Sequence, residues 1–280
     1  MNQTAIVTGA CGYIGRHVVN ALLARGVKVI AVDVVERELP NDCTLMVGDL
    51  LHDADFVARL PVVDVVIHLA WQDGFKHNSF SHMANLNSHL GFLNAMADKG
   101  VKRLTVMGSM HEVGYWEGAI TADTPCNPLS MYGIAKNALR QALTVALKGT
   151  DTKLQWLRGY YIYGDDKSNH SVFTKLLESA ADGKKEFPFT SGKNLYDFVS
   201  VDQLARMIAV VATQDEIVGI INCCTGKPKS LAQAVEEFIS ANHLNIKLAY
   251  GAYPDRPYDS PGVWGDASII ENILKDDNNG

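Results

Sequence analysis

A short apolar run, Ala5-Ile6-Val7, leads into Thr8-Gly9-Ala10-Cys11-Gly12-Tyr13-Ile14-Gly15, and from there into apolar residues at helical spacing, Ile14, Val18, Ala21 and Leu22. Three glycines three apart, between a strand and a helix, constrain the fold more than any other feature of the chain. Without side chains, the backbone can approach a pyrophosphate at the helix N-terminus. Far downstream, Tyr132-Gly133-Ile134-Ala135-Lys136 places a phenol and an ammonium four residues apart, on one helix face. A positive charge beside a phenol favours the phenolate, so the pair suits proton transfer near neutral pH. Either motif alone recurs by chance. Their order on one chain points to hydride and proton chemistry.

The rhythm between them supports this. Strands are expected at residues 5–8, 27–34, 44–47, 62–69 and 103–107, with helices at 13–25, 81–98 and 132–147 and a further strand at 154–161. Gly26 and Gly100 close two of the helices. Continuous apolar strands alternating with amphipathic helices predict an α/β fold, a doubly wound parallel sheet of Rossmann type covered on both faces. After Gly164-Asp165-Asp166 the pattern changes to a helix at 172–181, a short strand at 197–201, a helix at 202–212, a strand at 219–223 and a helix at 230–241. The expected organisation is a dinucleotide-binding domain over 1–164 and, over 165–280, mainly a smaller substrate-binding lobe interleaved with completion of the sheet. No clean linker or internal repeat divides them. Residues 276–280 read as disordered.

The 25 basic residues against 31 acidic ones, a net charge of -6, argue against nucleic acid or an anionic membrane as a partner. No apolar stretch approaches a membrane span and the first residues run into a strand without a signal-peptide layout, so a cytoplasmic protein is expected. The five cysteines show neither zinc spacing nor a disulfide framework, and no metal site is expected. Cys11 reads as a small turn residue and Cys223-Cys224 as core.

Asp33 ends the second apolar run about twenty residues past the glycine turn, where a carboxylate accepts hydrogen bonds from the hydroxyls of an adenosine ribose. Its charge would repel a ribose phosphate, which favours NAD over NADP, although Arg37 nearby softens that preference. Asp49 and Leu50 suit the adenine. In His68-Leu69-Ala70-Trp71 the small residues let a cofactor lie along the sheet edge, and Trp71 is larger than that position calls for.

Over nearly its full length the chain resembles the extended short-chain dehydrogenase/reductases, in their nucleotide-sugar epimerase/dehydratase branch. The residues that carry the likeness are the 8–15 turn, Asp33, Asp49-Leu50, His68-Leu69-Ala70, Asn85, Tyr132 with Lys136, Tyr196-Asp197-Phe198-Val199-Ser200-Val201-Asp202 and Arg256-Pro257. The resemblance implies cofactor contacts from Gly9, Gly12, Tyr13, Ile14, Gly15, Asp33, Asp49, Leu50, Leu69, Ala70, Trp71, Asn85, Tyr132 and Lys136. It makes Tyr132 the acid/base, with Lys136 lowering its pKa and holding the nicotinamide ribose. A Ser or Thr should hydrogen-bond the reacting oxygen, but alignment on Val113 puts Met110 there and Ser109 one position earlier. A one-residue shift on an extended chain turns a side chain to the opposite face, so Ser109 fills the role only if the loop compensates; otherwise it bonds the loop backbone.

The substrate side departs from the family more. Family dehydratases carry Asp-Glu where this chain has His111-Glu112, which makes dehydration less expected than simple hydride transfer. His111 is either a proton donor or a polar loop residue near the pocket. Tyr161 stands where the family has a diphosphate-binding Asn, and Tyr196 where it often has Arg. Arg256 matches a family phosphate contact, and Lys193 is a candidate substitute for the missing charge.

The expected activity is NAD(P)-dependent hydride transfer at C4 of a nucleotide-activated sugar, as a 4-keto-6-deoxy-sugar reductase or a 4-epimerase of the kind that feeds polysaccharide biosynthesis. A reductase of small non-nucleotide carbonyls and a cofactor-binding scaffold with a drifted site remain as alternatives. The resemblance also implies a homodimer built on the helices at 81–98 and 132–147. Leu86, Leu90, Leu139 and Leu143 are candidates for its outer face, and burial against the sheet explains them equally well.

Overall fold

The computed structural model describes residues 3–164, 171–255 and 259–279. Strands β1 (Thr4–Thr8), β2 (Lys28–Asp33), β3 (Thr44–Val47), β4 (Val65–His68) and β5 (Arg103–Ser109) join Lys153–Gly159 and Gly219–Cys223 in one seven-stranded sheet. Every pairing in it is parallel. The order across the sheet is Gly219–Cys223, Lys153–Gly159, β5, β4, β1, β2, β3. The chain therefore winds outward in one direction from β1 and in the other from β4. Between their carboxyl ends, where Thr8 lies opposite His68, helix connections diverge and leave a crevice.

Both faces of the sheet are covered, which is why its strands are continuously apolar. On one face, α1 (Tyr13–Ala24), the helix Val201–Thr213 and the C-terminal helix Ser268–Asn279 bury Val18, Leu22, Ile208 and Ile270 with the facing strand residues. On the other, α2 (Ala54–Arg59), α4 (Leu86–Asp98) and α5 (Met131–Ala146) bury Phe56, Leu93, Met96, Leu139 and Leu143. Leu139 and Leu143 are thus core residues, and Leu86 and Leu90 pack against the same cluster. The large apolar residues that α5 exposes are Met131, Ile134 and Val145, with Met83 exposed on α3 (Ser81–Ala84).

A second cluster under the helices Val172–Ala181 and Leu231–Ala241 gathers Phe173, Leu176, Phe189, Val235 and Phe238. Beside it, a small sheet in the order Lys229–Ser230, Leu195–Tyr196, Gly262–Gly265, Gly118–Ile120 draws one strand from the N-terminal half.

Several elements differ from the sequence expectation. The strand expected at 103–107 runs on to Ser109, and the helix expected at 81–98 breaks at Asn85. The strand expected at 154–161 ends at Gly159, and Tyr161–Tyr163 pairs instead with Phe198–Ser200. Residues 276–279, read as disordered, belong to the C-terminal helix, which is tied down where Arg25 grips Asp277 at 2.5 Å.

Candidate active site

A cavity of about 780 Å³ opens along the carboxyl ends of β1, β4 and β5. The glycine turn forms its upper wall. A Cβ on Gly9 would stand 2.7 Å from the Ala70 amide nitrogen, and one on Gly15 would collide with the Gly9 carbonyl. The cradle therefore admits only glycine at these points. Gly12 caps α1 with no side-chain hydrogen bond, and Tyr13 and Ile14 line the wall beside it.

At the far end Asp33 faces the cavity and is held rigidly: Oδ2 accepts from the Cys11 amide at 2.9 Å, and Oδ1 from the Val34 amide at 2.8 Å. Asp49 and Leu50 line the same end, with Asp49 accepting from the Leu51 amide and from His52 Nδ1, each at 2.9 Å. Leu69, Ala70 and Trp71 form the floor. Asn85 is the exception in this set. It is buried behind the wall and donates to Gln72 Oε1 at 2.9 Å, so it positions Gln72, which lines the cavity. The elongated volume, the glycine cradle at a helix N-terminus and the fixed carboxylate together fit a dinucleotide.

The opposite end holds the groups suited to chemistry. Ser130 caps α5 by accepting from the Gly133 amide at 3.1 Å, which starts the helix one residue before Tyr132. A Cβ on Gly133 would collide with the His111 carbonyl, so this glycine lets α5 press against the turn after β5. Ser109, the last residue of β5, hydrogen-bonds Tyr132. Met110 points into the core instead. The loop compensates because β5 extends to Ser109 and then tightens into a 3₁₀ turn over Met110–Glu112, where Glu112 Oε1 accepts from the Ser109 amide at 2.7 Å.

That bond also relocates Glu112, expected near the substrate. Its carboxylate is fully buried behind the site, accepting from Trp156 Nε1 at 2.9 and 3.0 Å and facing Arg158 at 3.5 Å and Arg140 at 3.7 Å. Burial pushes its pKa up while Arg158 pulls it down. Glu112 shapes the turn and does not reach the cavity.

The electrostatics of the pair differ from the simple expectation. Burial pushes Tyr132 up to about 12, with the Ser109 hydrogen bond opposing it. Burial also brings Lys136 down from 10.5 to about 7. Lys136 Nζ donates to the Met107 carbonyl at 2.6 Å and lies 3.5 Å above the Trp71 ring, but 5.9 Å from the Tyr132 ring. Desolvation therefore outweighs the Ser109 hydrogen bond, and at pH 7 Tyr132 is a phenol. Trp71, too large for a sheet-edge filler, is the surface on which Lys136 rests.

His111 lines the cavity beside Tyr132, with ring centroids 6.1 Å apart. Tyr161 and Tyr196 do not line it; they stack on each other at 4.3 Å, because Tyr161 points to the face of its strand opposite Tyr160 and Ile162. Lys193 sits on an exposed turn away from the cavity, and Arg256 lies outside the described residues. The sequence reading missed Gln72, Phe75 and His77, which line the cavity from the loop after β4. The one signal for them was compositional, since five of the nine histidines fall between residues 68 and 111.

The family model described as NAD dependent epimerase/dehydratase family matches residues 5–224. The chain belongs to that family. Among its epimerase/dehydratase relatives, dTDP-6-deoxy-L-talose 4-dehydrogenase (NAD(+)) of Aggregatibacter actinomycetemcomitans is 48% identical over 267 residues, covering 93% of this chain and 98% of the relative. The structure of MoeE5 in complex with UDP-glucose and NAD superposes with a TM-score of 0.81 at 26% identity, over 97% of this chain and 92% of that one. UDP-N-acetylglucosamine 4-epimerase from Methanobrevibacter ruminantium M1 shares the fold, with a TM-score of 0.84 at 22% identity over 97% and 92% of the two chains. Among the described residues, no helix is long and apolar enough to cross a membrane and no cluster suits a metal ion.

Proposed function

We propose that this protein is an NAD-dependent oxidoreductase that transfers hydride at C4 of a nucleotide-activated sugar, as the 4-dehydrogenase of a dTDP-linked 6-deoxyhexose or the reductase that runs the same reaction backwards. The observation that carries the reading is the meeting of Ser109, Tyr132 and Lys136 at one end of a cavity whose other end is a glycine cradle with a fixed carboxylate. The dTDP-6-deoxy-L-talose 4-dehydrogenase relative supports the substrate class and the net redox outcome.

NAD, when bound, supplies the acceptor or donor of the hydride at C4. In oxidation, C4 loses hydride and its hydroxyl loses a proton; in reduction, the carbonyl carbon gains hydride and its oxygen gains a proton. The protein handles the proton. Ser109 and Tyr132 together hold the C4 oxygen, and the buried phenol is ready to protonate a developing alkoxide. In the oxidative direction Tyr132 must first release its own proton to solvent, so that its phenolate, favoured by the Lys136 ammonium, takes the proton of the C4 hydroxyl. Gly9, Gly12 and Gly15 hold the pyrophosphate, Asp33 the adenosine ribose, and Lys136 the second ribose. Asp33 favours NAD over NADP by its charge.

We infer further that residues 1–164 do most of the cofactor binding and 165–280 most of the substrate binding, and that two copies pair through the helices of residues 81–98, α3 and α4, together with α5. Exposure of Met83, Ile134 and Val145 supports the pairing. A cytoplasmic enzyme is the reading that NAD use and five free thiols support.

The test is to supply dTDP-6-deoxy-L-talose and NAD and follow NADH by absorbance. NADH formation that is inhibited by dTDP is expected. An enzyme that binds NAD yet turns over no dTDP- or UDP-linked hexose in either direction overturns the reading.

A further inference from the structure

Histidines crowd the end of the cavity that holds Tyr132, and their ring nitrogens are unequally engaged. His68 uses both, meeting Thr8 Oγ1 at 2.8 Å and His89 Nδ1 at 2.9 Å. His82 also uses both, accepting from Trp71 Nε1 at 3.0 Å and reaching the Lys76 carbonyl at 3.0 Å. His89 lies flat against Trp71, centroids 4.4 Å apart. These three rings form a scaffold under the floor.

His77 and His111 are different. Both line the cavity, and their rings are 4.4 Å apart. His77 lies face to face with Tyr132 at 5.3 Å and 11°. The backbones of both are anchored, His77 O by the Tyr132 amide at 2.9 Å and the His111 amide by Ser109 Oγ at 3.2 Å. Their four ring nitrogens make no hydrogen bond among the described residues. Two positioned imidazoles with unengaged nitrogens therefore face the cavity beside the phenol that meets the reacting oxygen. Ring nitrogens open to the cavity in this way can donate to and accept from a polar ligand.

We propose that His77 and His111 bind the sugar hydroxyl next to the reacting carbon; the proposal rests on the C4 reading above and deepens it. On a hexose reacting at C4, one neighbour, C5, carries the ring oxygen and the exocyclic carbon. The adjacent hydroxyl is the one on C3. A neutral imidazole offers one donor and one acceptor, which match the two roles of a hydroxyl. The rings stay neutral because burial, aided by the neighbouring histidine, brings His111 down to about 4, and burial lowers His77 as well. A sugar lacking the C3 hydroxyl would fill the space beside both imidazoles without meeting them, and sites built to bond a hydroxyl discriminate strongly against its absence.

The experiment compares kcat/KM for a dTDP-6-deoxyhexose and its 3-deoxy analogue, in the wild-type protein and in His77→Phe and His111→Phe. The wild type should favour the 3-hydroxyl substrate over the 3-deoxy analogue by about tenfold or more. Each Phe variant should lose most of that preference while binding NAD and dTDP within about twofold of wild type. Histidine ring resonances of the wild-type NAD complex give a reading independent of variant folding. Signals of His77 and His111 should shift with the dTDP-sugar and stay in place with dTDP alone. Indifference of the wild type to the C3 hydroxyl, full preference retained in both Phe variants, or unmoved ring signals each overturn the proposal. No turnover of any nucleotide-linked hexose fails the C4 reading itself; turnover that ignores the C3 hydroxyl fails only the histidine pair.

Discussion

The Lys136 ammonium lies 3.5 Å above the centre of the Trp71 ring, and that same indole meets the Tyr132 ring edge-on at 6.1 Å. One aromatic plane thus fixes the separation of the two groups that share the proton chemistry. The plane is itself immobile, stacked on His89 and donating to His82. A desolvated cation over an indole gains about 2 kcal/mol, enough to hold a long flexible side chain in one place.

Trp71→Leu should therefore lower kcat by about tenfold or more at saturating NAD, and Trp71→Phe, which keeps a ring face, by distinctly less. Steady-state kinetics on both variants checks this. Equal losses in the two would show that only the volume of the side chain matters.

Tyr132→Phe removes the proton donor but keeps the ring packed against His77. Turnover should fall by about a thousandfold or more, with the NAD dissociation constant within about twofold of wild type by calorimetry. Activity near the wild-type level would remove Tyr132 from the mechanism.

Lys136 is held at about 7 by burial, against 10.5 in an unfolded chain. The folded state thus binds fewer protons than the unfolded state between those values, so this residue makes stability rise with pH from about 7 towards 10.5. Below pH 7 its charge is a full burden on the fold. Lys136→Met should raise Tm by a few degrees at pH 6 and by less at pH 9, read by differential scanning calorimetry of the two proteins without nucleotide. A gain that is the same at both pH values would contradict the shift.

Glu112 should matter to folding rather than to turnover. Removing its carboxylate leaves Arg158, itself fully buried, without its counter-charge. Glu112→Ala should cost about 3–5 kcal/mol, seen as a shifted urea midpoint. A loss of kcat in a fully stable Glu112→Ala protein would return this residue to the catalytic set.

Asp33→Asn keeps most of the anchoring geometry while removing the charge. NAD should bind about tenfold more weakly, and the preference for NAD over NADP should narrow by at least as much. Fluorescence titration of both nucleotides gives the ratio. An unchanged ratio would mean that Asp33 only braces the turn through Cys11 and Val34.

The sequence by itself determined the frame, because its signals are local. Strand and helix periods, the glycine turn and the four-residue spacing of Tyr132 and Lys136 are written within a few residues of each other, and boundaries such as Thr44–Val47, Val172–Ala181 and Gly219–Cys223 could be read directly. The choice between Ser109 and Met110 could not, because it depends on how far β5 extends and on a buried carboxylate that pins the following turn. Tyr161 and Tyr196 were read as pocket residues because their positions suggested it, yet Tyr161 points to the strand face opposite Tyr160 and Ile162 and stacks on Tyr196. The loop bearing Gln72, Phe75 and His77 has no periodicity, and it acquires meaning only when α5 brings Tyr132 beneath it. Only the tertiary structure decided these points, because burial and contacts between residues distant along the chain set which face a side chain presents and which proton it keeps.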